Sequence, residues 1–247
     1  MKHSKAETIY VFVIGIICLF IIGASIARGT ASVDYSGSAD NVIKSTTPIT
    51  TTTGTRTILV WGYLYDTSEA GCFFGIGAEA GNKGYVLCVG SGTANSAGNE
   101  FVAVYPGVNW RDYNMNIGTG WHFLGETDDG TTVRGLVDCV LSASTYVQDP
   151  LAPTDLTEIN NQLNDTYSLN GRTGPIYVYN RELSTQEICD QMHSYWPIDT
   201  VSLVGFFPMD EGVSTSTYQD PTQSSSVQLT ESGTINNLQG PPITMGD

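Results

Sequence analysis

Short apolar segments separated by turns rich in Gly, Asn, Asp, Ser and Thr recur along most of this chain. In the segment EFVAVYPGV (100–108), Phe101, Ala103 and Tyr105 alternate with two valines, which is the two-residue period of a β-strand. Residues 144–170, rich in Asp, Asn, Pro and Leu, are predicted as a long irregular insertion. Further strands are predicted in the segments 56–66, 71–77, 83–92, 174–180 and, as a pair around an Asp-Asp-Gly turn, 120–143.

One segment has a helical pattern, LSTQEICDQMHSY (183–195). Ser184 and Glu187 form a capping box, and apolar side chains follow at helical spacing. Many short strands, frequent turns and one short helix near 184–195 are typical of an all-β fold. We therefore predict an antiparallel two-sheet jelly-roll sandwich.

The N-terminal run IYVFVIGIICLFIIGASIA (9–27) is almost continuously apolar and uncharged. About twenty such residues span the hydrocarbon core of a bilayer, whereas the apolar part of a signal peptide has about 7–15. We predict a transmembrane anchor over 8–27 after a stub at 1–7, with a cleaved signal peptide as the alternative. Basic residues precede the anchor, so the stub lies on the cytosolic or lumenal side and the domain on the outer side. A short link, 28–32, then holds a domain of residues 33–247 close to the membrane.

Charge narrows the choice of partners. The chain carries 10 Lys and Arg against 25 Asp and Glu, a formal net charge of −15. A nucleic-acid partner is not expected, because few cations are available to neutralise phosphates. Only 14% of the residues are charged, which favours a turn-rich β-fold over a helical bundle.

Two of the five cysteines are placed to pair across a hairpin. Cys72 and Cys88 flank a Gly- and Asn-rich turn region near residue 80, and a hairpin folded there sets their sulfurs opposite each other. We predict a cross-strand disulfide, with buried free thiols as the alternative. Cys139 and Cys189 cannot be paired from the sequence alone.

Segments in the predicted domain resemble the laminin-G-like, concanavalin-A-like jelly-roll family. The segment WHFLGETDDGTTVRGLVDCVL (121–141) is similar to the central signature of that family, with Cys139 in place of the usual Gly. The segment IYVYNRELSTQEI (176–188) resembles the terminal strand, its turn and the short helix. VDYSGSADNVI (33–43) resembles the early strand pair, and TILVWGYLY (57–65) resembles the next strand. The resemblance implies a concanavalin-A-like sandwich.

A further segment, SLVGFFPMDEG (202–212), resembles the first strand and acidic turn of the same family, although here it stands near the C-terminus. The termini of a jelly roll lie side by side, so a first strand moved to the C-terminus can occupy its former place, as in a circular permutation. A truncated second repeat is the alternative, but too few residues follow to bury a core. We predict that residues 203–209 pair antiparallel within the main sheet.

Aromatic and polar residues in the segment VYPGVNWRDYNMN (104–116) are candidates for ligand contact. We predict a loop here, and loops are where binding residues gather. Core packing of one or two of the rings is the alternative. The candidate contact residues for a glycan or protein partner are Tyr105, Trp110, Arg111 and Tyr113.

No cofactor is expected. The resemblance implies calcium as the alternative, with Asp210, Glu211 and Asp220 as candidate oxygen ligands. Asn164 begins an Asn-Asp-Thr triplet and is a candidate for glycosylation.

Catalysis is not expected. A glycoside hydrolase needs two carboxylates about 5–10 Å apart across one concave surface. Glu126, Asp128 and Asp129 cluster in a turn signal, so we interpret them as solvated turn carboxylates.

These features favour a non-catalytic, single-pass membrane protein with a structural or interaction role. A minor component of a membrane-containing virion shell or envelope layer fits the short link and the low charge, with neighbouring shell or envelope proteins as partners. The alternative is a surface lectin-like adhesin, favoured by the family resemblance and by the segment 104–116. A glycoside hydrolase is a distant third.

Overall fold

Two antiparallel β-sheets and one short α-helix make up the part of the chain that a computed structural model describes. The described residues are 31–36, 42–45, 49, 54–67, 70–77, 84–90, 100–105, 109–147, 156–159, 169–209, 217–219, 228–232 and 236–243.

Sheet A contains nine of the described strands. Its strands are β1 (Ala31–Ser36), β3 (Arg56–Leu64), β8 (Gly120–Asp128), β9 (Thr132–Val137), β10 (Val140–Leu141), β11 (Tyr146–Val147), β13 (Asn170–Tyr179), β14 (Leu203–Phe207) and β17 (Asn236–Gln239). The order across the sheet is β10-β9-β8-β3-β13-β1-β17, with β11 also paired to β9 and β14 also paired to β13.

Sheet B contains the other eight described strands. Its strands are β2 (Val42–Ser45), β4 (Gly71–Gly77), β5 (Gly84–Gly90), β6 (Glu100–Tyr105), β7 (Asn109–Asn116), β12 (Leu156–Ile159), β15 (Thr217–Gln219) and β16 (Gln228–Ser232). The order across the sheet is β15-β16-β2-β12-β4-β5-β6-β7. The all-β prediction of two antiparallel sheets is confirmed.

Strand β3 shows how the two faces of sheet A are buried. Ile58 and Val60 point into the apolar core between the sheets, where they join side chains such as Phe74 of sheet B. Leu59 and Trp61 point to the opposite, outer face and belong to a second buried cluster. The strand is therefore apolar on both faces, because the core covers one and the helix and chain segments after β13 cover much of the other.

The predicted helix is confirmed as α1 (Thr185–Met192). The Ser184 side chain accepts a hydrogen bond from the Glu187 N–H, and the Glu187 carboxylate accepts one from the Ser184 N–H at 2.8 Å. Arg181 donates to Glu187 at 2.6 Å and to Asp199 at 2.7 Å, which ties the helix start to the following turn. Hydrogen bonds from Arg181 and Ser184 lower the pKa of Glu187 from 4.5 to about 2.

Strand β14 lies where the sequence predicts it. Leu203–Phe207 pairs antiparallel with the second half of β13, and β1 pairs with the first half of the same edge. On its other side β1 pairs with β17, with Ala31 opposite Gln239. The first and last described strands are therefore neighbours in sheet A, and the predicted pairing of 203–209 is confirmed for Leu203–Phe207.

Two segments that the sequence predicts as irregular contain strands. Within 104–116, β6 continues to Tyr105 and β7 occupies Asn109–Asn116; within 144–170, β12 lies between β2 and β4 in sheet B. The loop prediction for 104–116 is therefore wrong for the described part. Strand β7 is the edge of sheet B, where Asn and Asp side chains can face water without losing strand pairing.

Two disulfides lie within the described residues. Cys72 and Cys88 stand opposite each other on β4 and β5, with Cα atoms 3.9 Å apart, as in the predicted pair. The second joins Cys139, in the β9–β10 turn, to Cys189 in α1, with Cα atoms 5.1 Å apart. Cys139 has a φ of +73°, a backbone conformation that glycine adopts more readily than other residues.

Several sequence predictions fall outside the described residues. They are the anchor over 8–27, the calcium candidates Asp210, Glu211 and Asp220, and the glycosylation candidate Asn164. Within the stretches that are described, no helix has the length and apolar character needed to cross a membrane.

Candidate functional site

Cross-strand register gathers aromatic side chains at one end of the outer face of sheet A. Tyr63 on β3 stands directly opposite Trp121 on β8 and opposite Arg172 on β13. Trp61 belongs to the outer cluster, and the two-residue period of a strand places Tyr63 on the same face. Tyr65 follows just beyond the end of β3. We call Tyr63, Tyr65, Trp121 and Arg172 the aromatic strip.

Contacts among these four side chains fix their orientation. The Tyr63 ring lies edge-on to the rings of Tyr65 and Trp121, with centroid distances of 5.3 Å in both cases. The Arg172 guanidinium carbon lies 5.0 Å from the Tyr63 ring centroid and 5.3 Å from that of Tyr65. Arg172 Nε also donates a hydrogen bond to the Tyr65 hydroxyl at 2.7 Å. Ring and guanidinium contacts of this kind pre-organise the surface.

Among the described residues, none covers the aromatic strip, which forms one end of the outer face. Tyr65 is 39% exposed, and Tyr63, Trp121 and Arg172 are partly exposed. Elsewhere on the face, side chains of α1 and Ile243 cover the cluster. Tyr65 and the neighbouring Asp66 continue onto a polar border, where Asn170 Nδ2 donates to Asp66 Oδ2 at 3.1 Å.

This arrangement suits a ligand with both apolar and hydroxylated surfaces. Aromatic rings pack on C–H groups, while the Tyr hydroxyl, the guanidinium and the Asp66–Asn170 pair offer hydrogen-bond donors and acceptors. Small-molecule sites combine these two kinds of surface.

The predicted contact residues of 104–116 lie elsewhere. Tyr105 and Trp110 belong to the paired strands β6 and β7, and their side chains are outside the description. Tyr113 is 1% exposed and stacks on Phe101 in the core between the sheets. Arg111 is buried, and its Nη2 donates to the Val147 carbonyl at 2.7 Å. Arg111 and Tyr113 therefore stabilise the fold, because the period of β7 turns both side chains inward.

The cluster of carboxylates interpreted as solvated is only partly so. Asp129 is exposed in the β8–β9 turn, and hydrogen bonds from Thr131 and Thr132 lower the pKa of its carboxyl group. Glu126 and Asp128 belong instead to β8 and are buried, so the prediction is wrong for these two. Asp128 forms an ion pair with Arg56 at 3.0 Å, which compensates the buried charge.

Metal binding has no visible set of ligands in the described ranges. No group of three or more His, Cys, Asp and Glu side chains is placed there to hold an ion.

Sequence reasoning missed the aromatic strip, although one signal was present. Trp61, Tyr63 and Tyr65 alternate through the segment WGYLY, and such a period places three rings on one face of a strand. Packing in the core accounts for Trp61 but not for Tyr63 and Tyr65. The contributions of Trp121 and Arg172 depend on strand pairing and have no local signal.

Comparison with known proteins gives likeness in structure only. No protein-family model and no curated protein sequence match the chain. A solved structure from Bacteroides ovatus, named a "putative carbohydrate binding protein", is similar with a TM-score of 0.67 and 13% identity, over 89% of this chain and 63% of that chain. This chain thus spans less than two thirds of that protein.

A second similar structure is the heptameric SAP-like pentraxin of Limulus polyphemus. Its TM-score is 0.50 at 12% identity, over 67% of this chain and 82% of that chain. At such low identities the likeness concerns the fold alone. The chain folds as an antiparallel two-sheet sandwich of the kind found in these two proteins.

Proposed function

We propose that this protein is a lectin-like domain that binds glycans at the aromatic strip without altering them chemically. The observation that carries the proposal is the strip itself, three aromatic rings and an arginine held together and partly exposed at one end of a sheet. The carbohydrate-binding description of the similar Bacteroides ovatus protein supports the same function.

The chemistry of the strip defines the expected class of glycan. Sugar rings present C–H faces that pack on Tyr63, Tyr65 and Trp121, and hydroxyl edges that hydrogen-bond to Arg172 and the polar border. The net charge of −15 disfavours heavily sulfated or carboxylated chains. Neutral or weakly acidic glycans are therefore the expected ligands.

We propose further that the sandwich is a laminin-G-like, concanavalin-A-like jelly roll whose first strand stands at the C-terminus. The placement of β14 on the β13 edge supports this assignment, and so does the adjacency of β1 and β17.

A membrane-anchored structural protein is the second candidate. It is favoured by the uncharged run at 9–27 and by β1, which begins at Ala31 and leaves few residues between the run and the sheet. A sandwich held this close to a membrane is suited to pack against neighbouring shell or envelope proteins. The predicted anchor is compatible with glycan binding. The two candidate functions therefore differ in the expected partner, a glycan or a neighbouring protein, and not in membrane attachment.

The experiment is a glycan array probed with the full chain in a detergent that has no sugar head group. We expect binding to at least one neutral glycan, and a loss of at least tenfold in the Tyr65→Ala variant. Trp196→Ala is the matched control, because Trp196 is 51% exposed after α1 and contacts the outer cluster outside the strip. The bound glycan is expected to be recovered intact.

The glycan-binding proposal fails if the native chain binds nothing on the array, or if Tyr65→Ala binds as well as Trp196→Ala. Chemical cross-linking in native membranes tests the second candidate. Cross-links to abundant shell or envelope proteins, together with a silent array, favour the structural role.

A further inference from the structure

A cleft of 480 Å³ opens at the edge where the two sheets face each other. Strand β7 forms one wall, and the β9–β10 hairpin with the segment leading to β11 forms the other. Its volume falls within the range of about 300–1,000 Å³ that small-molecule sites occupy.

Hydrogen bonds cross-link the two walls. Asn114 Nδ2 donates to Ser144 Oγ at 3.0 Å, and the Tyr146 hydroxyl donates to the Asp112 carbonyl at 2.5 Å. Below them Tyr113 packs on the backbone of Gly135, where an added Cβ would lie 2.4 Å from the ring. The walls are therefore held at a set separation before any ligand arrives, which reduces the entropy cost of binding.

The residues that line the cleft provide both apolar and hydrogen-bonding groups, which complement the two kinds of surface on a sugar. Val137 and Leu141 supply apolar contact, and Asn116 and Asp138 supply an exposed amide and an exposed carboxylate, whereas the Ser142 hydroxyl already donates to the Ser144 carbonyl. Amide and carboxylate side chains can each bond two neighbouring hydroxyls, the pattern on the edge of a pyranose ring. A small polyhydroxylated ligand fits this set of groups better than a purely apolar one.

The cleft is adjacent to the aromatic strip. Asp138 Oδ1 accepts a hydrogen bond from the Phe123 N–H at 2.8 Å, and its Oδ2 lies 2.7 Å from His122 Nδ1. His122 directly follows Trp121 on β8, so the two side chains lie on opposite faces of sheet A, and the cleft connects with the strip around the sheet edge formed by β9 and β10. Leu141 lines the cleft and also packs against the outer cluster that supports the strip.

We infer that the cleft is a second subsite, which receives the terminal sugar residue of the glycan whose following residues lie on the aromatic strip. This inference rests on the proposed glycan binding. It adds that the protein recognises chain ends, and that the cleft selects which sugar stands there.

The experiment uses the ¹⁵N-labelled full chain in a detergent without a sugar head group, titrated with free glucose, galactose, mannose, xylose and N-acetylglucosamine. We expect at least one of these sugars to shift the side-chain amide signals of Asn114 and Asn116. The variant Ala143→Trp fills the cleft and is expected to weaken that response at least tenfold. Val147→Trp is the control, since it adds the same ring to an exposed site on the same edge outside the cleft.

The outcomes separate the two proposals. If array binding is lost in Tyr65→Ala but is unchanged in Ala143→Trp, and no free sugar shifts the Asn114 and Asn116 signals, the cleft subsite is wrong and glycan binding stands. If the native chain binds nothing on the array, the proposed function itself fails. Loss of array binding in Ala143→Trp, with binding retained in Val147→Trp, supports the subsite.

Discussion

The single change Phe207→Ala tests whether strand β14 is part of the core of the sandwich. Phe207 is fully buried between the two sheets, and its backbone pairs with Ile176 of β13. If the strand is a member of the sandwich, the change opens a cavity in the shared core. If the strand is an appended remnant, the rest of the core is little affected.

The expected magnitude follows from the size of the deleted side chain. Replacing a buried Phe by Ala costs about 3–5 kcal/mol in the free energy of unfolding. Phe206, on the other face of the strand, stacks on Tyr177 at 5.3 Å and is also fully buried. Changing both phenylalanines is expected to cost about 6–10 kcal/mol, which is comparable to the whole stability of about 5–15 kcal/mol of an ordinary domain.

The assay is urea unfolding of the full chain, followed by far-UV circular dichroism. With a slope of about 2–3 kcal/mol per M urea, Phe207→Ala is expected to lower the midpoint by about 1–2.5 M. The nearby Val201→Ala is the control, because Val201 is 95% exposed and its loss is expected to change stability by less than about 0.5 kcal/mol. A cost below about 1 kcal/mol for Phe207→Ala would refute the assignment of β14 as a core strand.

Three further predictions concern charge and cross-links. Asp128→Ala leaves the buried Arg56 charge uncompensated and is expected to lower the free energy of unfolding in urea by about 3–5 kcal/mol. The double variant Asp128→Leu with Arg56→Met removes both charges and is expected to recover most of that loss. Equal losses in the two variants would contradict this explanation. Glu187→Gln is expected to lower the Tm above pH 4.5, and because the folded pKa is about 2, its difference from the native chain fades as pH falls from 4.5 towards 2. A difference that is independent of pH in scanning fluorimetry would exclude the ion-pair explanation. Cys189→Ser opens the link to Cys139, which spans 50 residues, and is expected to cost about 4 kcal/mol; non-reducing peptide mapping should recover this pair, and free thiols at both positions would disprove it.

Local patterns were enough to predict the elements that depend on neighbouring residues. The capping box of Ser184 and Glu187 defines the start of α1, since its hydrogen bonds join residues three apart. The Gly- and Asn-rich composition near residue 80 predicted a hairpin, and the observed pairing of β4 with β5 places Cys72 opposite Cys88, because a hairpin pairs residues at equal distances from its centre. The resemblance of 202–212 to a first strand likewise anticipated β14.

Local patterns failed where tertiary context outweighs propensity. The Asn- and Asp-rich β7 is a strand because it forms the edge of sheet B, and β12 is a strand because β2 and β4 hold it from both sides. Glu126 and Asp128 are buried because β8 extends to Asp128, the first residue of the expected turn, and Arg56 compensates the Asp128 charge. The local composition of a segment shows neither whether that segment lies at the edge of a sheet nor which distant residue pairs with it.

The sequence by itself determined that the described part of this protein is a β-sandwich with a capped helix, a disulfide-linked hairpin and the late strand β14 in its main sheet. The tertiary structure alone decided the candidate sites. Tyr63, Trp121 and Arg172 form a strip only through the register of three strands, and the cleft exists only because β7 of one sheet faces the β9–β10 hairpin of the other. The physical reason is that strand period sets the face on which a side chain lies, whereas the neighbours on that face are set by pairing between distant segments.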